Sequence, residues 1–93
     1  MESMINEAQY DKYLQSLLAG NRRVCATQVN SLIEQKADIR DIYLNLFQKS
    51  MYKVGSLWEH NRISVAVEHL ATSITLQLLN LVYPLLFSAE KGN

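Results

Sequence analysis

Apolar residues recur at helical spacing along the whole chain. Tyr10, Tyr13, Leu14 and Leu17 follow i, i+3, i+4, i+7, the mark of one buried helix face. The stripe stops at Gly20, a residue suited to a left-handed C′ position, so a first helix is expected near residues 5–19. Asn21 is placed to cap a second helix near 21–36, with Cys25, Ala26, Val29, Leu32 and Ile33 facing inward until Lys36-Ala37 breaks the pattern. So short a turn makes the two helices antiparallel neighbours.

Asp38 opens a third helix, and Asp41 three residues later gives a partial capping-box pattern with negative charge at the positive end of the helix dipole. Ile39, Ile42, Tyr43, Leu46, Val54 and Leu57 make one stripe leading to Trp58, which predicts a helix near 38–60. Gly55 weakens that helix by about 1 kcal/mol relative to alanine. It serves either close helix packing or room for a bulky ligand. Asn61-Arg62-Ile63 interrupts the pattern and Ser64 is a good N-cap.

The fourth helix carries Val67, Leu70, Ala71, Ile74, Leu78, Leu81, Val82 and Leu85, widened by Leu76, Leu79 and Leu86. So wide a face implies a central helix or a second buried contact. Pro84 lacks the N–H that would bond to the Asn80 carbonyl, so the helix, near 64–83, is expected to kink or stop at Val82 to Tyr83. Residues 88–93 then read as a frayed tail or the start of a linker. There is no βαβ alternation, Gly-rich phosphate loop or internal repeat. The expected fold is all-α, an up-down antiparallel four-helix bundle forming a single domain over residues 1–93.

Composition narrows the function. A chain of 93 residues buries a modest core, with a stability of about 5–10 kcal/mol. Nine basic and nine acidic side chains balance to zero formal charge without a Lys/Arg stripe, which argues against nucleic-acid binding. The single cysteine, Cys25, lies on an apolar stripe and reads as a buried reduced thiol. The N-terminus lacks the basic and apolar regions of a signal peptide. The most apolar segment, residues 74–87, is interrupted by Gln77, Asn80 and Pro84 and is shorter than the ~20 residues that span a bilayer. A cytoplasmic protein without a membrane partner is expected.

The chemistry concentrates at the turn between the third and fourth helices. Trp58 ends one helix and Glu68-His69 lie in the first turns of the next, so an antiparallel pair sets them at comparable heights near one end of the bundle. The indole offers a flat apolar face and Glu68 a hydroxyl acceptor, which suits a ligand with a stackable ring and a sugar. His69 is placed to donate to such a ligand or to orient Glu68. His60, where the helix ends, reads as a solvated residue. No His-x-x-x-His or Glu-x-x-His metal pattern occurs, and no serine or cysteine has a base partner in a motif. The expected activity is binding rather than catalysis.

The spacing of Trp58, nine residues, then Glu68-His69, with Val54-Gly55-x-x-Trp58 before it and Ile63-Ser64-Val65-Ala66 within it, resembles the helical cap domain of adenosylcobalamin-binding photoreceptors and signalling proteins. The resemblance is densest from Asp41 to Pro84 and thinner from Tyr13 to Lys36. It implies a four-helix cap lying above the upper face of the corrin and covering the 5′-deoxyadenosyl group, with Trp58, Glu68, His69 and Val54 as cofactor-binding residues. In the family the cofactor is held by a C-terminal Rossmann-type domain, whose Asp-x-His-x-x-Gly histidine takes the lower face of cobalt. No such motif and no preceding DNA-binding helix-turn-helix occur in these residues, so adenosylcobalamin is expected only together with that partner domain. In some light-responsive members a histidine directly follows the tryptophan. Glu59 stands here instead, which removes that route to histidine capture of cobalt. The alternative is a cofactor-free helical interaction module, a possible homodimer, motivated by the wide apolar face of the fourth helix.

Overall fold

A computed structural model describes the backbone of residues 3–91 and the side chains of residues 3–85. Among these residues the structure is all-helical, with four helices and no strand. Helix α1 is Glu7–Leu18 and α2 is Arg22–Glu34. Helix α3 is continuous over residues 39–59 but changes its winding: Ile39–Ile42 and Lys49–Glu59 are α-helical, and Tyr43–Gln48 between them is π-helical. Helix α4 is Val65–Lys91.

Local chemistry sets the boundaries. The side chains of Asn6, Asn21, Asp38 and Ser64 accept from the backbone N–H groups of Gln9, Val24, Arg40 and Val67 at 2.8, 3.2, 3.0 and 3.2 Å, satisfying donors that a helix start leaves free. The first three helices end alike. Gly20, Lys36 and Asn61 have φ of 71°, 67° and 59°, and the next residue's N–H reaches back to Ser16, Leu32 and Leu57 carbonyls at 2.8, 3.0 and 2.7 Å. These are Schellman closures.

Asp41 does not complete a capping box. Its carboxylate accepts from Ser3 Oγ at 2.8 Å, Met4 N–H at 3.1 Å and Asn45 Nδ2. These bonds hold the N-terminal segment against α3, and Ile5 is buried there.

Each helix touches the other three, so one core serves the whole bundle. It contains Tyr13, Leu17, Cys25, Val29, Leu32, Ile42, Leu46, Phe47, Val54, Ile74 and Val82. The rings of Tyr13 and Phe47 meet tilted at 5.9 Å between centroids. Gln28 is a polar member of this interior that the apolar stripe of α2 did not show. Its Nε2 donates to the Gln9 carbonyl at 2.7 Å.

The inward face of α3 differs from the expected stripe. Ile42, Leu46, Ser50 and Val54 are buried, whereas Tyr43 is 43% exposed. A strict spacing of four would drift by about 40° per step on an ideal α-helix. The wider turns of the π segment absorb the drift and keep these four positions facing the core.

Two expectations for α4 are corrected. The helix passes through Pro84 and continues to Lys91, so it does not stop near Val82, and the expected tail is helical over residues 88–91. Residues 92 and 93 lie outside the described residues. Pro84 and Asn80 are both on the exposed side of α4, where water can take up the Asn80 carbonyl that the proline leaves without a donor. The apolar stretch is also longer than residues 74–87: by length and composition alone, Val65–Leu85 is sufficient to cross a bilayer. Within the bundle its Ala71, Ile74, Thr75, Leu78 and Val82 form the buried side, while Leu70, Leu76, Leu81, Tyr83 and Leu85 remain exposed.

Candidate functional site

Helices α3 and α4 run antiparallel about the turn at residues 60–64, because Met51 meets Thr75 while Tyr43, at the start of the π segment, lines a cleft with Leu79 and Tyr83. The Thr75 hydroxyl bonds to the Ala71 carbonyl at 2.9 Å and stands 3.3 Å from the Met51 sulfur. Trp58 lies seven residues beyond Met51, and Glu68 seven residues before Thr75. Equal numbers of residues thus separate Trp58 and Glu68 from the Met51–Thr75 contact.

The same counting identifies the stripes. Met51, Gly55 and Trp58 are i, i+4, i+7 on α3. Glu68, Thr72, Thr75 and Leu79 are i, i+4, i+7, i+11 on α4. Clefts along this side of α3 adjoin one another, sharing Tyr43 and Leu79 at one step and Met51 and Tyr52 at the next. They end on a cleft of about 380 Å³ lined by α3 residues, Met51, Tyr52, Gly55, Ser56, Trp58 and Glu59.

Trp58 is 48% exposed, so its ring is partly available to a ligand. Gly55 is not a close-packing glycine: a β-carbon built there meets nothing within 4 Å. Glu68, in the first turn of α4, is 28% exposed at its side chain. Its carboxylate is flanked by His69 Nδ1 at 3.7 Å from Oε1 and by Thr72 Oγ1 at 3.4 Å from Oε2. Thr72 Oγ1 also donates to the Glu68 backbone carbonyl at 2.9 Å. The side chain keeps an accessible edge.

His69 is 76% exposed at its side chain, free to approach a ligand from the rim. His60 is the C-cap of α3, exposed, with Nδ1 2.8 Å from the Ser56 carbonyl, which agrees with the reading of a solvated residue.

Val54 is the correction among the four expected contact residues. It is 0% exposed and sits in the core common to the helices, so no group resting on the bundle's surface reaches it. It stands one turn before Trp58 on the same side of α3, and the sequence did not show that this turn is enclosed by the other helices while Trp58, at the helix end, is 48% exposed. Thr72 and Met51, by contrast, were not singled out from the sequence. Helical periodicity from Glu68 and Trp58 is the signal that leads to them.

Two other features lie apart from this site. The largest cleft, about 590 Å³ between α1 and α2, is lined by Gln9, Lys12, Arg23 and Gln28 among others and contains neither an aromatic ring nor a carboxylate. Cys25 is buried, and burial pushes its thiol up to about 11, which keeps it an unreactive thiol at neutral pH. Among the described residues no group of three or more His, Cys, Asp or Glu side chains is arranged to hold a metal ion.

The sequence model of the family described as the B12 binding domain matches residues 9–83. No curated protein matches the chain. The match contains all four helices' packed faces and the whole Trp58 to His69 segment, and domains of this kind are usually paired with a B12-binding partner domain. The chain thus belongs to the B12 binding domain family, as the helical cap of B12-binding proteins, and this membership implies association with cobalamin.

Proposed function

We propose that this domain is the cap of a cobalamin-dependent photoreceptor or signalling protein and covers the upper-face 5′-deoxyadenosyl group of adenosylcobalamin. The observation that carries the reading is the half-exposed indole of Trp58 beside unfilled space over Gly55. These residues fit the group: Trp58 offers a stacking face for adenine, Glu68 accepts from ribose hydroxyls, and His69 donates from the rim. When bound, cobalamin supplies the cobalt–carbon bond that light or another signal breaks. The chain's own part is to orient and shield the adenosyl group and to shift when those contacts are lost. Its role is binding, in a cytoplasmic protein with no nucleic-acid or membrane contact of its own. The up-down antiparallel bundle is the arrangement that serves this role, since it brings the α3–α4 turn to one end.

The magnitudes require a partner. Stacking contributes about 1–3 kcal/mol, and charge-assisted bonds to a ribose about 1.5–3 kcal/mol. Together these correspond to roughly millimolar to ten-micromolar binding before ordering costs. The isolated chain accordingly binds adenosylcobalamin weakly or not at all. Joined to a C-terminal corrin-binding domain, the same contacts become intramolecular and discriminate adenosyl from methyl. The test joins this chain to such a domain and compares Trp58→Ala and Glu68→Ala with the parent. Both variants should lose the preference for adenosylcobalamin over methylcobalamin, and retention of that preference by both would refute the assignment.

A second reading is favoured by the exposed Leu81 and Leu85, one turn apart on one side of α4. On it the domain is a cofactor-free interaction module that pairs with a second copy through this face. A concentration-independent monomer mass in analytical ultracentrifugation would remove it.

A further inference from the structure

We infer that Gly55 sets the size of the group the site admits: it is the floor of the Trp58 cleft, kept without a side chain so that the upper ligand can lie against α3. The inference rests on the cobalamin-cap reading above and adds a specificity-determining residue to it.

The ordinary reasons for a glycine inside a helix are missing at position 55. One is backbone conformation, but the left-handed residues are Gly20, Lys36 and Asn61, and Gly55 has no positive φ. It lies inside the α-helical segment Lys49–Glu59. Another is close approach of a neighbouring helix, but a β-carbon at Gly55 would have nothing within 4 Å, whereas one at Gly20 would meet the Leu70 side chain. A helix-interior glycine with neither reason lowers the folded-to-unfolded ratio about fivefold relative to alanine. The fold gains nothing from it. What the missing side chain does leave is the space bounded by Met51, Tyr52 and Trp58, in a cleft of about 380 Å³.

Met51, Gly55 and Trp58 occupy one helical stripe. The indole, half exposed, forms one wall, and the Met51 thioether, held beside Thr75 at 3.3 Å, forms the other. A thioether wall is polarizable and adapts to an aromatic ring. A planar heteroaromatic group laid between them would contact the α3 backbone at position 55. A methyl or hydroxo upper ligand is too small to reach it. A side chain at this position is therefore expected to oppose the large upper ligand selectively.

The test uses Gly55→Ala and Gly55→Leu, with Trp58→Ala and Glu68→Ala as controls on the underlying reading. In the chain alone, Gly55→Ala should raise the thermal midpoint by about 4–8 °C, measured by circular dichroism. In the chain joined to a corrin-binding domain, titration by absorbance should show adenosylcobalamin binding weakened roughly 5- to 100-fold by Gly55→Ala and further by Gly55→Leu. Hydroxocobalamin binding should be unchanged in both. If Trp58→Ala abolishes the adenosyl preference while both Gly55 variants keep it, the inference about Gly55 is overturned and the cap reading survives. If Trp58→Ala and Glu68→Ala both keep the preference too, the cap reading itself fails. Equal weakening of both cobalamins by Gly55→Leu would also overturn the inference, since it would signify general damage to the domain interface.

Discussion

The turn between α1 and α2 rests on the first turns of α4 at one contact: a β-carbon at Gly20 would lie 2.5 Å from Cδ2 of Leu70. Gly20 also has φ of 71°, so the position resists a side chain both by conformation and by space. Leu70 directly follows Glu68-His69. The bundle thereby braces the start of the ligand-facing helix from behind.

Gly20→Ala is accordingly expected to destabilise the domain by about 1–2 kcal/mol from the left-handed backbone alone, with the Leu70 clash adding to it. Chemical denaturation of Gly20→Ala, alone and combined with Leu70→Ala, separates the two causes. If the double variant is more stable than Gly20→Ala, the clash contributes. If it is less stable by the ordinary cost of losing a half-exposed leucine, conformation is the whole effect.

Ser64 anchors the other side of the site. Its hydroxyl caps α4 at Val67 N–H, and Glu68 N–H bonds to the Ser64 carbonyl at 3.1 Å. Ser64→Ala should cost about 1 kcal/mol, and Ser64→Asp should retain most of the stability because a carboxylate caps as well and complements the dipole. Urea midpoints of the two variants check the order. A Ser64→Asp variant no more stable than Ser64→Ala would show that the cap bond is not what holds this helix start.

What the sequence disclosed was mainly local. The stops at Gly20 and Lys36-Ala37 and the caps at Asn21, Asp38 and Ser64 follow from chemistry within a few residues. What escaped depended on three-dimensional context. Tyr43 looks like a core residue at α-helical spacing, but the buried face runs through Ile42, Leu46, Ser50 and Val54 and leaves Tyr43 43% exposed. Ser50 reads as polar yet is buried, its hydroxyl bonded to the Phe47 carbonyl at 3.0 Å. The same competition explains Asp41, whose capping pattern is overridden by Ser3, Met4 and Asn45. At Pro84, solvent exposure on that side of α4 decided for continuation, and exposure is not written in the residue itself.

The Asp41 cluster gives the domain a pH-dependent component. Partial burial pushes its carboxyl up, but hydrogen bonds from Asn45, Ser3 and the Met4 N–H outweigh this and hold it below the usual carboxylate value. A carboxyl depressed in the folded state stabilises fully above its unfolded value, about 3.9. That contribution is lost as pH falls through the folded value. Asp41→Asn should therefore be less stable than the parent at neutral pH, with the difference shrinking below about pH 4. Urea midpoints measured from pH 7 downward test this. A difference that grows on acidification would contradict the sign.

Val54 and Trp58 should part company when each is truncated, because they occupy the same helix but different surroundings. Val54 is fully enclosed by the core, so Val54→Ala should lower stability by roughly 1–3 kcal/mol through lost burial and a residual cavity. Trp58 is half exposed at the end of α3, and Trp58→Ala removes less buried surface, with an expected cost below about 2 kcal/mol. Binding should show the reverse order. In the chain joined to a corrin-binding domain, Val54→Ala should keep the parent's preference for adenosylcobalamin at temperatures well below its melting point, while Trp58→Ala should lose about 1–3 kcal/mol of it, the expected scale of ring stacking. Measuring melting temperature and the ratio of adenosylcobalamin to methylcobalamin affinity on the same two variants gives four numbers. If Val54→Ala reduces that ratio as much as Trp58→Ala does while the domain remains folded, then Val54 contributes to recognition from within the core. The division between an enclosed turn at Val54 and a ligand-facing end at Trp58 would then have to be abandoned.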